Sequence, residues 1–364
     1  MTVADRVEIL ASSVRRGPAP VFSICVPQYN RTSFLIEACR ALAAQSFSSF
    51  ELCISDDRST DGRQDELISF LESSGLDFVY ARQMANRRYD GNLRGAMALA
   101  RGRYSILMGN DDRLARPDTL EMIDRILRAS GPVQVAVANY AECESGRVFQ
   151  RVPRTGILGS GPSAAAQSFR NFSFVSGVIF ETEAARRWAT EKWDGSEMYQ
   201  MFIGCRMLAA GGTLLGIGEV CVEKDIRIAN ESVDSYASKK KEKKDLAPVV
   251  LPMAQIVPLV ADAIAPFVTP KELEATVMKI WPRLLLFTYG FWLVELRRVH
   301  SWRYSASVYR GLSPARIGRG LHLSAANRAR IRALYAMVGA AGLLVPVRLF
   351  RALEPALYRV AKRT

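Results

Sequence analysis

The sequence predicts an α/β protein: a mostly parallel central sheet flanked by helices, followed by an α-helical C-terminal region. Two observations carry this. From Val21 to Asn139, short apolar runs alternate with helix-period segments, the signature of βαβ units. Beyond the charged run at Lys239–Lys244 the chain reads as all helix.

Taken in order, residues 1–20 read as a short helix or arm, ended by Gly17, Pro18 and Pro20. Val21–Val26 is a strand halted by Pro27. After the loop Gln28-Tyr29-Asn30, Thr32 or Ser33 caps a helix reaching Ala44, with Leu35, Ala38, Cys39 and Leu42 as its apolar stripe. Glu51–Ser55 is the second strand and ends in DDRSTDG, where Asp61 is placed to cap the helix carrying Leu67 and Leu71. Phe78–Ala81 is the third strand. A basic loop follows, and Asn92 is placed to cap a helix closed by Gly102. Tyr104–Met108 is the fourth strand, Pro117 opens a helix, and Val133–Asn139 is a fifth strand.

The second half is less regular. Phe174–Phe180, Thr213–Ile217 and Val220–Ile228 read as strands; Ala184–Trp188 and Met198–Ala210 read as helices. The charged run Lys239–Lys244 marks a boundary between a domain at 1–238 and a helical region at 239–364. Helices are expected over Pro252–Phe267, Lys271–Arg298, Ala325–Leu344 and Val347–Arg359. Within them, Leu284–Val294 and Ala333–Val347 are strongly apolar with flanking cations. Either they lie in a bilayer interface, with Trp281, Trp292 and Trp302 at headgroup depth, or they pack on protein, including a second copy.

Composition narrows the chemistry. The 364 residues carry a net charge of +13, with the excess in the tail, which implies an anionic partner. Six cysteines form no CxxC pair, and Cys25 and Cys53 sit in strand-like runs, as expected of thiols in a reducing compartment. The two histidines, His300 and His322, are far from any acidic cluster, which argues against a zinc site or a histidine-based triad. No nucleic-acid-binding module is recognisable, because the tail's aromatics sit in apolar runs and do not interleave with cations.

The chemistry concentrates at three strand ends: PQYN at 27–30, DDRSTD at 56–61 and GNDD at 109–112. In a parallel sheet these ends lie side by side at the carboxyl edge, where α/β proteins bind ligands. Adjacent carboxylates repel unless a cation lies near, and oxygen ligands suit Mg²⁺ or Mn²⁺; the bland alternative is a polar turn capping the next helix.

Over roughly residues 20–230 this joint pattern resembles glycosyltransferase family 2 of the GT-A fold. The resemblance implies inverting, metal-dependent transfer of a sugar from a nucleotide-sugar to an acceptor hydroxyl. It places Pro27, Tyr29 and Asn30 in a loop against the nucleoside and makes Asp57 the base-contacting carboxylate. Asn92 faces the nucleotide, Asp111 is a ribose or metal contact, and Asp112 is the metal ligand. Asn110 stands where the family's metal motif usually has an acid. Arg82, Arg87 and Arg88 either add positive charge at the diphosphate or lie on a solvated face. Glu197, at the expected start of a helix, is the first choice for the base that takes the acceptor proton, and Asp194 the second; the family's usual acidic pair is absent there. The motif and spanning helices of processive synthases are also missing, so a single-addition enzyme in surface-glycan assembly is expected.

The expected partners are a nucleotide-sugar donor and a glycan or lipid-linked acceptor, with an anionic membrane surface or a second copy for the tail. The expected location is cytoplasmic, peripheral on the inner face of the membrane. Two rival readings are a sugar-nucleotide nucleotidyltransferase, which would carry a glycine-rich loop after its first strand, and a non-catalytic basic scaffold with a degenerate nucleotide fold.

Overall fold

The computed structural model describes residues 7–13, 18–229, 231 and 247–353. The chain divides into two compact units, Met1–Ala237 and Ser238–Thr364. The charged run at 239–244 and the end of the last expected helix lie outside the described residues.

The first unit is built on one sheet. Its strands are β1 (Val7–Ser12), β2 (Phe22–Gln28), β3 (Phe50–Asp56), β4 (Phe78–Gln83), β5 (Tyr104–Leu107), β6 (Arg113–Leu114), β7 (Val135–Glu142), β8 (Val148–Phe149), β9 (Gly156–Ser160), β10 (Val178–Glu181) and β11 (Thr213–Lys224). Their order is β1-β4-β3-β2-β5-β10-β7-β11-β6, with β8 beside β7 and β9 beside β11. The parallel core is β4-β3-β2-β5. Beyond β5 the sheet is mixed: β10 runs antiparallel to both β5 and β7, and β11 is parallel to β7. The helices are α1 (Thr32–Ala43), α2 (Gln64–Ser73), α3 (Arg88–Leu99), α4 (Thr119–Ala129), α5 (Gly161–Ser168), α6 (Thr182–Arg187) and α7 (Tyr199–Ala209).

The core forms where β2 and β3, buried on both faces, meet the apolar stripes of α1, α2 and α4. Ile24, Leu35, Leu42, Leu52, Ile54, Leu67, Leu120 and Ile123 are each within about one per cent of full burial. Each such side chain contributes roughly 1.5–3 kcal/mol.

Several expectations are corrected. Val7–Ser12 is a strand, not a helix or arm. It pairs antiparallel with β4, with Leu10 and Ala11 packed against the core and Ile9 exposed, so no alternating apolar pattern announces it. Asp61 caps α1 instead of α2: its Oδ2 accepts from the Thr32 N–H at 3.2 Å and the Thr32 hydroxyl at 2.7 Å. α3 begins at Arg88, so Asn92 is inside the helix rather than capping it. Phe174–Gly177 is a turn leading into β10, and the two expected strands after Gly212 form one strand, β11, with register shifts between Ile217 and Val222.

The second unit is helical: α8 (Ile256–Ile264), α9 (Pro270–Leu284), a π turn at Leu285–Tyr289, α10 (Gly290–Val299), α11 (Trp302–Gly311), α12 (Pro314–Ile317) and α13 (Ala325–Leu344). α9 starts with a capping box between Thr269 and Glu272. Pro282 near its end has no N–H to donate, and the π turn follows at once. α13 packs closely on α11: a Cβ at Gly339 would lie 2.2 Å from the Tyr309 ring, which stacks on Tyr335 with centroids 4.2 Å apart.

Candidate active site

Parallel register brings the three polar strand ends to one edge. Gln28 lies beside Asp56, and Cys25 lies beside Leu107. Gln28 then ties the loops together. Its carbonyl accepts from the Asp57 N–H and from Asn92 Nδ2, both at 2.9 Å. Its side-chain Oε1 accepts from Asn110 Nδ2 at 2.8 Å, and its Nε2 donates to the Asn30 carbonyl at 2.6 Å. One fully buried side chain thus links the first loop to the third, and its backbone links the first to the second.

The remaining loop contacts fix their shape. Asn30 and Arg31 both adopt the left-handed region, with φ of 54° and 58°. The Asn30 N–H donates to Ser59 Oγ at 2.8 Å, and Asn30 Oδ1 accepts from the Thr60 N–H at 2.7 Å. Asp56 serves the turn: it accepts from the Ser59 N–H at 2.6 Å and from the Tyr80 hydroxyl at 2.7 Å. Asp57 accepts from the Arg87 N–H at 2.5 Å, while Asn86 Nδ2 donates to its carbonyl. Burial pushes the Asp57 carboxyl up to about 6, against the pull of the Arg87 and Arg88 N–H groups. Tyr29 stands exposed at the rim, with Pro27 half-buried behind it. Asn92 is buried beneath the loop, and its Oδ1 has no hydrogen-bond partner.

At the third strand end, Asp112 is 2 % exposed. Its Oδ2 accepts from the Ser176 hydroxyl, and its Oδ1 accepts from the Asp225 N–H at 3.1 Å. Burial raises its pKa, and the neighbouring Asp111 charge raises it further. Asp111 Oδ2 accepts from Arg31 Nη1 at 2.6 Å. Between the two acids sits Gly109. A Cβ there would lie 2.8 Å from Asp112 Oδ2 and 3.1 Å from Asp111 Oδ1. The bare glycine leaves a small cradle flanked by an oxygen of each carboxylate. Hard cations of the Mg²⁺ type take one or two protein carboxylates and complete their shell with substrate phosphates and water. Asp111 and Asp112 fit that requirement. Among the described residues no group of three or more histidine, cysteine or acidic side chains forms a closed cage.

Opposite these loops, Asp90 organises the segment before α7. Its Oδ2 accepts from the N–H groups of Gly195 at 2.8 Å and Glu197 at 2.9 Å, and its Oδ1 accepts from that of Tyr199 at 3.0 Å. Glu197 is therefore not at the start of a helix. It lies two residues before α7 at φ 56°, with its side chain on the exposed side. Asp194, the second base candidate, accepts from Arg94 with both oxygens, at 2.7 and 2.8 Å. Arg87, one of the loop cations, lies 3.1 Å from Glu191.

Three site residues escaped the sequence reading. Gln28 was visible only as part of its motif. Asp90 fell in the loop ahead of the expected Asn92 cap, where no motif marked it. Arg151 lay in no motif, yet its buried guanidinium donates to the carbonyls of Ala138, Ser176 and Phe174 and sits over the rings of Tyr140 and Phe174. It braces the turn that carries Ser176. A cavity of about 410 Å³ lined by Val21, Arg103, Tyr104 and Asp124 lies at the opposite, amino-terminal edge of β2 and β5, away from the converging loops.

A parallel sheet core with carboxylate-bearing loops at its carboxyl edge, extended by a mixed half carrying a second set of polar groups, defines the GT-A class of glycosyltransferase. Comparison with known proteins agrees. The profile of glycosyl transferase family 2 matches residues 23–190. The chain is 25 % identical over 249 residues to the abequosyltransferase RfbV of Salmonella typhimurium, covering 62 % of this chain and 71 % of that one. It is 33 % identical over 105 residues to a PGL/p-HBAD biosynthesis glycosyltransferase of Mycobacterium bovis, covering 29 % and 41 %. In fold it is similar to S. aureus TarS 1–349 in complex with UDP-GlcNAc, with a TM-score of 0.60 at 15 % identity, covering 87 % and 90 %. Residues 23–190 form a glycosyl transferase family 2 domain, and the chain is a glycosyltransferase.

Proposed function

We propose that this enzyme transfers a single sugar from a nucleotide-sugar to a hydroxyl of a glycan or lipid-linked acceptor in surface polysaccharide assembly, with inversion and with a divalent cation. The observation that carries the reading is the convergence of three loops on Gln28, which sets Asp57, Asp111 and Asp112 at one edge. The names of the relatives support the setting: RfbV is an abequosyltransferase, and a further relative acts in amylovoran biosynthesis.

In this proposal residues 1–238 are the catalytic domain. Pro27, Tyr29 and Asn30 line the nucleoside, and Asp57 accepts a base N–H. Asn92 supports that loop from below. Asp112 and Asp111 hold Mn²⁺ or Mg²⁺, which supplies Lewis-acid stabilisation of the departing diphosphate. Arg31 adds fixed positive charge beside Asp111. Glu197 takes the acceptor hydroxyl proton as that oxygen bonds to the anomeric carbon and the bond from that carbon to the diphosphate oxygen breaks on the opposite face. The Asp90 cap fixes the backbone from which Glu197 projects.

The test is a thermal-shift screen against UDP-, GDP-, CDP- and dTDP-sugars with and without Mn²⁺. One nucleotide series stabilises the protein, Mn²⁺ enlarges the shift, and Asp112→Ala abolishes the enlargement. If no series shifts the wild type, the donor assignment fails.

A further inference from the structure

The structure separates the two apolar tail segments. Leu284, Leu285, Tyr289, Leu293 and Val294 are buried within the C-terminal unit, and so is Trp281. These side chains are core, while Leu286 in the same stretch is exposed. α13 differs. Arg330, Met337 and Leu344 follow one another at seven-residue intervals, with Ala333, Ala340 and Ala341 between them on the same face. This stripe is exposed and, past Arg332, carries no charge; Met337 is 53 % and Leu344 72 % exposed. From Arg330 to Leu344 it rises about 21 Å.

The tip of this helix is reinforced. Trp302 is exposed beside it, and its indole N–H donates to the Leu343 carbonyl at 3.1 Å. Arg297 Nη1 donates to the carbonyls of Gly342 and Val345 at 2.9 and 2.8 Å, which fixes the corner. There the chain bends by 114° into the helix Val347–Leu353. On that short helix Leu349 and Leu353 share one face and are exposed, while Arg348 and Arg351 take the other. The corner thus presents Trp302, Leu344, Leu349 and Leu353 among cations.

Charge decides what covers this surface. Between Trp281 and Leu353 the sequence holds twelve arginines and one carboxylate, Glu295, which pairs with Arg298. Arg303, Arg330, Arg332 and Arg348 make no ion pair among the described residues. A second copy would set like charges against each other. An anionic bilayer accepts the apolar tip and neutralises the arginines together.

We propose that the corner formed by Trp302, Leu344, Leu349 and Leu353, with Arg303, Arg348 and Arg351, docks on the surface of an anionic lipid bilayer. This deepens the lipid-linked-acceptor reading and rests on it for its purpose, since docking brings the enzyme to the plane in which such an acceptor lies.

The experiment is flotation of the full chain with phosphatidylcholine vesicles, with and without phosphatidylglycerol. The protein floats with the anionic vesicles and not with the neutral ones. The pair Leu344→Ser with Leu349→Ser, and separately the pair Arg348→Glu with Arg351→Glu, each lower partitioning about tenfold or more. Absence of flotation, flotation indifferent to phosphatidylglycerol, or flotation unchanged in both variants overturns the proposal. So does a serine variant that still floats but falls from oligomer to monomer by light scattering, because then a second copy covers the face. Donor-induced thermal shift, read on the same variants, reports folding and separates the two ideas. Lost flotation with an intact shift removes docking alone, whereas a missing shift with intact flotation removes only the sugar-transfer reading.

Discussion

Arg31 reaches Asp111 across 80 residues of sequence and donates to it at 2.6 Å, with its own guanidinium set over the Phe34 ring. The pair is largely shielded from water, with side-chain exposures of 10 % and 23 %. A fixed cation therefore sits where the donor's diphosphate is proposed to lie.

Replacing Arg31 with Ala removes a charge-assisted hydrogen bond worth about 1.5–3 kcal/mol. The expected result is a rise of roughly tenfold or more in the donor KM with a smaller fall in kcat. Arg31→Lys restores charge without the planar fork and recovers part of the loss. Steady-state kinetics on the three proteins decide it; an unchanged donor KM in Arg31→Ala refutes the role.

Asp57 gives a pH prediction. Burial pushes its carboxyl up to about 6, above the ordinary value of about 4. Between these values the folded chain binds the proton more tightly than the unfolded chain. Stability contributed by the protonated form is therefore lost as pH rises through that window, by ~1–3 kcal/mol. Asp57→Asn flattens this part of the profile in urea melts. Nucleotide binding runs the other way, because accepting a base N–H needs the carboxylate. Affinity measured by calorimetry falls about tenfold per pH unit below about 6 in the wild type.

Asp90 accepts three backbone N–H bonds while almost fully buried, and burial still raises its pKa. Asp90→Ala leaves three donors unpaired at the entrance to α7 and costs ~2–4 kcal/mol. Asp90→Asn keeps one acceptor oxygen and costs less. Because Glu197 hangs on the same backbone, kcat falls more than the donor KM rises in Asp90→Asn. A thermal melt together with the kcat and KM pair checks both parts.

Gln28→Ala withdraws the side-chain bonds to Asn30 and Asn110 and leaves the Asn110 amide without that acceptor. The expected loss is about 2–4 kcal/mol of stability, with weaker donor binding, since the first and third loops lose their tie. Gln28→Glu retains an acceptor for Asn110 but not the donor for Asn30, and falls between. Chemical denaturation and nucleotide titration on both variants provide the test.

The parallel core was legible because its rules are local. An apolar run ending in Asp111 and Asp112 can be seen without knowing what lies beside it, and the same holds for Asp56 and Asp57. Partners distant in sequence were not legible. Asp61 caps a helix 29 residues earlier, Asp90 a helix more than 100 residues later, and Arg94 pairs with Asp194 across 100 residues. Each looks like an ordinary surface charge in its own window. β1 was missed for a different reason: on this edge strand Leu10 and Ala11 pack against the core while Ile9 is exposed, so Val7–Ser12 shows no alternating burial pattern. In the tail, composition made both apolar segments equivalent. Only packing shows that Leu293 is core and Leu344 is not.

The reversed strand β10 separates the four parallel strands from the mixed half of the sheet. Because it runs against β5 and β7, Val178 sits level with Leu107 and Val137, and the chain enters β10 at the edge where the parallel strands leave off. Exposed positions between Ser145 and Phe174 can then vary in composition while Ser176 is still delivered to Asp112, provided that Arg151, which braces that turn, is kept. Such a chain is open to grafting at those positions, with the three converging strand ends left in place.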